Sequence, residues 1–405
     1  MAPTRHKDCR QVIRANKSKL PRRQNSSRSI ETTTTTLSLF QVLIMRLAFR
    51  PLALLLSTTT TATSALHQLQ RPSTAFFVGH HFRDSFSRRM MSSNSASGSA
   101  STSEESNKVR VALCQFSVTS NKEANHKTAA DYIDRAAKQG AQLVVFPEIW
   151  NSPYATSAFP EYAEILPNVG DDQCPADNSS SSQLLMDLAK QYGIFIIGGS
   201  IPESDDGKVY NTCLVYDPTG KVVAKHRKVH LFDIDVPGGI TFKESDTLTA
   251  GNSLTTFPFH KDLDIGVGIC YDIRFALPAM LMCQMNPKCK LLVYPGAFNM
   301  TTGPAHWEIL QRGRALDNQC FVLTVSPART EPPTEEGKYP HYTAWGHSTI
   351  VSPWGDIIAK ADEKESLVVC DLDLDRVDEV RTSIPIRQQK RDDLYQLTDF
   401  SSETL

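Results

Sequence analysis

The sequence predicts an α/β fold with mixed β-sheets. Two observations lead there. From residue 108 onward, short apolar or alternating runs take turns with stretches whose apolar residues recur at helical spacing. Two of the joins, Asp217-Pro218-Thr219-Gly220 and Ser352-Pro353-Trp354-Gly355, are turn sequences that fold neighbouring runs into hairpins, which makes the sheets mixed.

The elements follow in order. Residues 109–116 alternate and read as a first strand. Residues 124–139 place Ala130, Ile133 and Ala137 on one helical face and stop at Gly140. Residues 143–146 form an apolar strand that ends at Pro147-Glu148. A helix at 182–191 precedes a strand at 194–197. Strands at 213–216 and 222–225 form the first hairpin, and the second of them runs into His226-Arg227-Lys228. A strand at 264–269 leads to Cys270 and then to a helix at 276–285. A strand at 291–294, a helix at 305–317 and a strand at 321–325 with no obvious partner come next. The hairpin 348–351/357–359 and a last strand at 367–372 close the order. Residues 171–182 and 330–339 read as surface loops.

The chain has 405 residues, a formal charge of −1, 40% apolar and 8% aromatic residues. That suffices for one large domain or two ordinary ones. Balanced charge gives no footprint for nucleic acid or an acidic membrane surface, so neither is expected as a partner. Nine cysteines lie in apolar surroundings without a Cys-x-x-Cys pair. This predicts reduced thiols, no disulfide framework and no zinc site. Residues 1–106 are basic, poor in acid and rich in Ser and Thr, a composition that cannot build a core and matches a transit peptide for a mitochondrion or plastid. Translation from Met90 would instead give a cytosolic protein. The globular domain is expected over 107–395, with a tail at 396–405.

Chemistry concentrates at strand ends. Gly266 and Gly268 weaken a strand interior and mark close approach to the backbone. Cys270 then stands at a strand-to-helix elbow, where helix N–H groups favour thiolate and oxyanion. A lone cysteine is most often a buried small residue, so its partners decide. Glu148 is either a solvated loop carboxylate or a general base held by a strand end. Lys228 is either part of a solvated basic cluster or a positive charge placed beside a tetrahedral intermediate.

Phe146-Pro147-Glu148, Arg227-Lys228-Val229-His230 and Gly268-Ile269-Cys270-Tyr271-Asp272 resemble, in order, the three signatures of the nitrilase superfamily, the carbon–nitrogen hydrolases with a Glu-Lys-Cys triad. The resemblance covers residues 108–394. Asn151-Ser152-Pro153-Tyr154, Thr302-Gly303-Pro304-Ala305-His306-Trp307 and Ala344-Trp345-Gly346-His347-Ser348 are similar to its omega-amidase branch, and Tyr271 stands where true nitrilases place Trp.

The resemblance implies a four-layer α-β-β-α sandwich with Glu148 as base, Lys228 as oxyanion stabiliser and Cys270 as nucleophile. It further implies Glu244 as a second glutamate and a Tyr271 backbone N–H on the oxyanion. Phe298 would be a pocket wall, Thr302 a polar contact and Tyr154 a neighbour of the amide. The implied activity is hydrolysis of 2-oxoglutaramate and 2-oxosuccinamate to the acid and ammonia through a thioester, by a homodimer without metal or cofactor. Arg274, four residues past Cys270, would share its face if the elbow runs into an α-helix, and could clamp a substrate carboxylate; a structural ion pair is the alternative. His306 and Trp307 would support the helix that follows. Competing readings on the same triad are an N-carbamoyl amine hydrolase, another aliphatic amidase, or a glutaminase domain; a non-catalytic scaffold is the reading from another class.

Overall fold

The computed structural model describes residues 107–400 apart from 176–177, 261, 333 and 335–336. The targeting segment expected at 1–106 lies outside the described residues.

The first sheet is built from β1 (Lys108–Gln115), β2 (Leu143–Val145), β3 (Phe195–Ile197), β4 (Ile201–Asp205), β5 (Lys208–Tyr216) and β6 (Val222–Arg227). A small ribbon, β7 (Asp233–Asp235) and β8 (Thr241–Lys243), follows. The second sheet holds β9 (Thr255–His260), β10 (Leu263–Val267), β11 (Cys289–Pro295), β12 (Phe321–Val325), β13 (Thr349–Val351) and β14 (Ile357–Lys360). The chain then returns through β15 (Ser366–Asp373) to pair antiparallel with β1, Val111 opposite Cys370. The orders are β15-β1-β2-β3-β5-β4, with β6 on β5, and β14-β13-β12-β11-β10-β9. Both sheets mix parallel and antiparallel pairs. β12, which had no evident partner in the sequence, lies between β11 and β13.

Among the described residues six α-helices accompany the sheets: α1 (Lys122–Lys138), α2 (Phe159–Tyr162), α3 (Ser180–Tyr192), α4 (Ala276–Gln284), α5 (Gly303–Asn318) and α6 (Asp375–Ser383). α1 begins where the Asn121 side chain accepts the Ala124 N–H, and it buries Ala129, Tyr132, Ile133 and Ala136 at three- and four-residue steps. α3 starts at Ser180, two residues before the helix start expected at 182, and so takes in the last residues of the first expected loop.

Period-two alternation sorts the strands. Val111, Leu113, Val145 and Val215 of the first sheet meet Ile265, Leu291, Val293 and Leu323 of the second. The opposite face of the first sheet, through Ala112, Val144, Ile196 and Leu214, packs on Ile133 and Ala136 of α1 and Leu185 and Ala189 of α3. α4 and α5 cover the outer face of the second sheet against β11 and β12. The layers are therefore α-β-β-α, as expected. Each buried Val or Leu contributes about 1.5–3 kcal/mol. That apolar seam holds the sheets together, and the charged groups at its end are positioned by it.

Candidate active site

Three strand ends converge. Glu148 lies just past β2, where the chain bends sharply: Ile149 has φ 50 and the facing Gly199 has φ 63. A Cβ on Gly199 would stand 2.1 Å from the Pro147 carbonyl oxygen, so only glycine fits. Ser200 Oγ accepts the Ile149 N–H at 3.1 Å, and Trp150 Nε1 donates to the Gly198 carbonyl at 2.7 Å, which fixes the bend. Lys228 leaves β6 with its backbone N–H on the Asn211 carbonyl at 2.8 Å. Cys270 follows β10 with φ 45, a conformation that costs a side-chain-bearing residue about 1–3 kcal/mol. The two glycines before it behave as read. A Cβ on Gly266 would meet Leu292 Cδ2 at 2.7 Å, and one on Gly268 would meet Tyr294 Cε1 at 2.6 Å.

Lys228 Nζ stands 2.9 Å from Glu148 Oε1 and 2.9 Å from Glu244 Oε2, with all three side chains fully buried. Further donors reach both carboxylates. Asn211 Nδ2 donates to Glu148 Oε1 and the Ala297 N–H to Oε2, each at 2.9 Å. The Tyr154 hydroxyl donates to Glu244 Oε1 and the Phe232 N–H to Oε2, each at 2.8 Å. Cys270 lies close enough to Glu148 to influence that carboxyl, and the Ala297 backbone lies near the sulfur.

Two carboxylates around one ammonium leave a buried net negative charge. Burial, and then Glu244, push the Glu148 carboxyl up against the pull of Lys228. Burial alone would lower the Lys228 ammonium, but the two glutamates hold it well above its usual range. Burial and the Glu148 charge push the Cys270 thiol well up. This corrects the expectation that the elbow favours a thiolate. The resting sulfur keeps its proton beside a carboxylate able to take it.

A cavity of about 380 Å³ is lined by Glu148, Tyr154, Ala297 and Tyr342, and by Lys338 and Tyr339 of the 330–339 loop. That loop is thus part of the pocket rim. Cys270, Lys228, Arg274, Phe298 and Thr302 are not on its wall.

Arg274 departs from the expected spacing. Cys270–Arg274 is a 3₁₀ turn, three residues per turn, so Arg274 lies about a third of a turn from Cys270 rather than above it. Pro278 explains this. It has no N–H for the Arg274 carbonyl, so an α-helix cannot run through and α4 restarts at Ala276. The guanidinium sits 4.8 Å from the centre of the Phe298 ring and 5.4 Å from that of Tyr271. Its Nη1 donates to His306 Nδ1 at 3.1 Å, and Nε has no partner. Among the described residues no carboxylate pairs with it, which excludes the structural ion pair there. Burial lowers its pKa while the nearby Cys270 raises it. Thr302 stands at the start of α5 without a side-chain capping bond; its hydroxyl donates instead to Asn299 Oδ1 at 3.2 Å. Trp307 Nε1 holds the His347 carbonyl at 2.8 Å, the supporting role expected for it.

Sequence reading missed Tyr342, Asn211 and Ala297. Tyr342 packs against Tyr154 with its ring tilted by 31°, centroids 4.5 Å apart, and its hydroxyl donates to the Ala297 carbonyl at 2.5 Å. None carries a local signal; Ala297 acts through its backbone alone.

The carbon-nitrogen hydrolase family profile matches residues 110–382. The chain is 53% identical over 294 residues to the omega-amidase NIT2 of Xenopus tropicalis, covering 72% of this chain and 98% of that protein. With the omega-amidase NIT2 of Homo sapiens it shares 51% identity over 288 residues, 71% of this chain and 96% of that one. Among solved structures, Saccharomyces cerevisiae Nit3, a member of branch 10 of the nitrilase superfamily, superposes with a TM-score of 0.61 at 40% identity, over 70% of this chain and 97% of that one.

Proposed function

The chain belongs to the carbon–nitrogen hydrolase family, and from that premise we propose that it works as an omega-amidase through Glu148, Lys228 and Cys270. The observation that carries the reading is one buried ammonium held by two buried carboxylates, one of them beside the Cys270 thiol.

Glu148 takes the Cys270 proton as sulfur attacks the amide carbonyl. The Lys228 ammonium and the Tyr271 backbone N–H meet the oxyanion. The tetrahedral adduct collapses as Glu148 protonates the departing nitrogen, which leaves as ammonia. The resulting thioester is attacked by water that Glu148 deprotonates. The acid departs and the thiol recovers its proton. A carboxyl raised by burial suits this alternation, since it must accept and release a proton in each half-reaction. Glu244 keeps Lys228 charged and in place.

Arg274 sets the substrate class. Its positive charge has no acidic partner among the described residues and lies near Cys270, which fits the free carboxylate of a short dicarboxylic acid monoamide such as 2-oxoglutaramate or 2-oxosuccinamate. The guanidinium carbon lies over the Phe298 ring, 4.8 Å from its centre. The test is ammonia release from these two substrates beside a neutral amide of the same length and an N-carbamoyl amine. Preference for the neutral amide, or carbon dioxide evolved with ammonia, would sink the assignment.

A homodimer is part of the proposal, supported by exposed Leu394 and Tyr395 near the C-terminus; a monomer in light scattering would remove it. Delivery to a mitochondrion or plastid rests on the composition of residues 1–106, and a fluorescent fusion of that segment remaining cytosolic would refute it.

A further inference from the structure

Asp272 stands two residues past the nucleophile with its side chain 6% exposed. Four hydrogen bonds reach it. Oδ2 accepts the Ile269 N–H at 2.9 Å and faces His226 Nε2 at 3.2 Å. Oδ1 accepts the His230 N–H at 2.9 Å and faces His230 Nδ1 at 2.8 Å. Burial alone would raise this carboxyl, but these bonds hold it well below the usual carboxylate range. As an anion it can only accept, so both facing ring nitrogens carry hydrogen.

The placement of the two histidines matters more than their number. His226 lies two residues before Lys228 and His230 two residues after it. One carboxylate therefore ties both flanks of the lysine to the elbow that carries the cysteine. These segments come from different sheets, β6 from the first and β10 from the second. The outer ends of the ties are fixed as well. The His230 ring stacks on Phe275, centroids 3.6 Å apart and planes 11° from parallel, and His226 Nδ1 is 3.0 Å from Thr255 Oγ1. On the elbow itself, the Ile269 N–H bond closes the turn that holds Cys270 at its positive φ.

We infer that His230, acting through Asp272, is a positioning residue that registers Lys228 against Cys270 so that the ammonium meets the oxyanion as it forms. This rests on the triad roles proposed above.

Two substitutions separate the bond from the packing. His230→Asn keeps a donor where Nδ1 stands, whereas His230→Phe keeps the stack on Phe275 and removes the donor. In the full chain with 2-oxoglutaramate, the Phe variant should lose about tenfold or more in kcat with KM within about twofold, because misplacement by a fraction of an ångström acts on the transition state. The Asn variant should stay near the parent. Alkylation of Cys270 by iodoacetamide, which forms no oxyanion, should slow less than kcat. Equal loss in both variants, a rise in KM alone, or alkylation slowed as much as kcat would overturn the inference. If His230→Phe melts below the assay temperature, His226→Phe breaks the other tie and is read the same way. Turnover surviving in Cys270→Ala would instead bring down the triad reading; a dead Cys270→Ala beside a fully active His230→Phe removes this inference alone.

Discussion

Arg274→Lys separates charge from geometry at the point where substrate class is set. The guanidinium is half-buried, lies over Phe298 and Tyr271, and donates sideways to His306. A planar fork held in that way presents two parallel donors to a carboxylate; an ammonium keeps the charge but loses the second donor and the stacking. Breaking a desolvated charge pair costs about 2–5 kcal/mol, which is about 30- to 5000-fold in kcat/KM at about 1.4 kcal/mol per tenfold. Partial exposure and the retained charge place Lys at the low end, so a loss of roughly 30-fold is expected, and Arg274→Met should fall further. The assay is ammonia release from 2-oxoglutaramate and from a neutral amide of the same length. The loss should appear on the first substrate only. Equal losses on both would mean that Arg274 supports the elbow, and the clamp would be abandoned.

Other outcomes follow from the same geometry. Cys270→Ala should abolish hydrolysis with little change in melting temperature, because only a sulfur is removed from an unchanged backbone; turnover above background would reveal another nucleophile. The pH profile should rise above the ordinary carboxylate value of 4.5 as Glu148 loses its proton, with no alkaline fall until above 9.0, since Cys270 and Lys228 are both held up. Glu244→Gln removes a negative neighbour that raises Glu148, so the rising limb should move to lower pH, and an unmoved limb would show that Glu148 does not govern it. Gly199→Ala should cost about 3 kcal/mol or more, since its Cβ would lie 2.1 Å from the Pro147 oxygen; an unchanged thermal melt would contradict the strain.

Much of this was legible in the sequence because the chemistry sits at strand ends, and strand ends have local signals. Pro147-Glu148 closes an apolar run, Lys228 follows a hairpin with a specified turn, and Cys270 follows two glycines whose lack of a Cβ the structure uses. β12 was readable as a strand, but its neighbours are fixed only by topology. β4 escaped notice although Asp206-Gly207 is a hairpin signal, both residues taking positive φ. The 3₁₀ turn that rotates Arg274 was also encoded, in Pro278, but the apolar helix after it masked the break. What could not be read is the long-range pairing: the Ala297 N–H on Glu148, Tyr342 against Tyr154, and the histidines flanking Lys228 on Asp272.

The division of the site between two sheets has a consequence for how the enzyme comes into being. Glu148 and Lys228 emerge from the first sheet, Cys270 and the Ala297 N–H from the second, and the bond from Ala297 to Glu148 joins positions 149 apart in sequence. Neither half alone holds a base, a cation and a sulfur together. A folding chain with one sheet formed is therefore chemically silent, its thiol without a base and its base without a thiol. Catalytic competence arrives only with the last docking step, since loops closed over such distances form late. Regain of turnover during refolding should lag the recovery of secondary structure and coincide with burial of the inter-sheet face, which makes the enzyme its own reporter of sandwich closure.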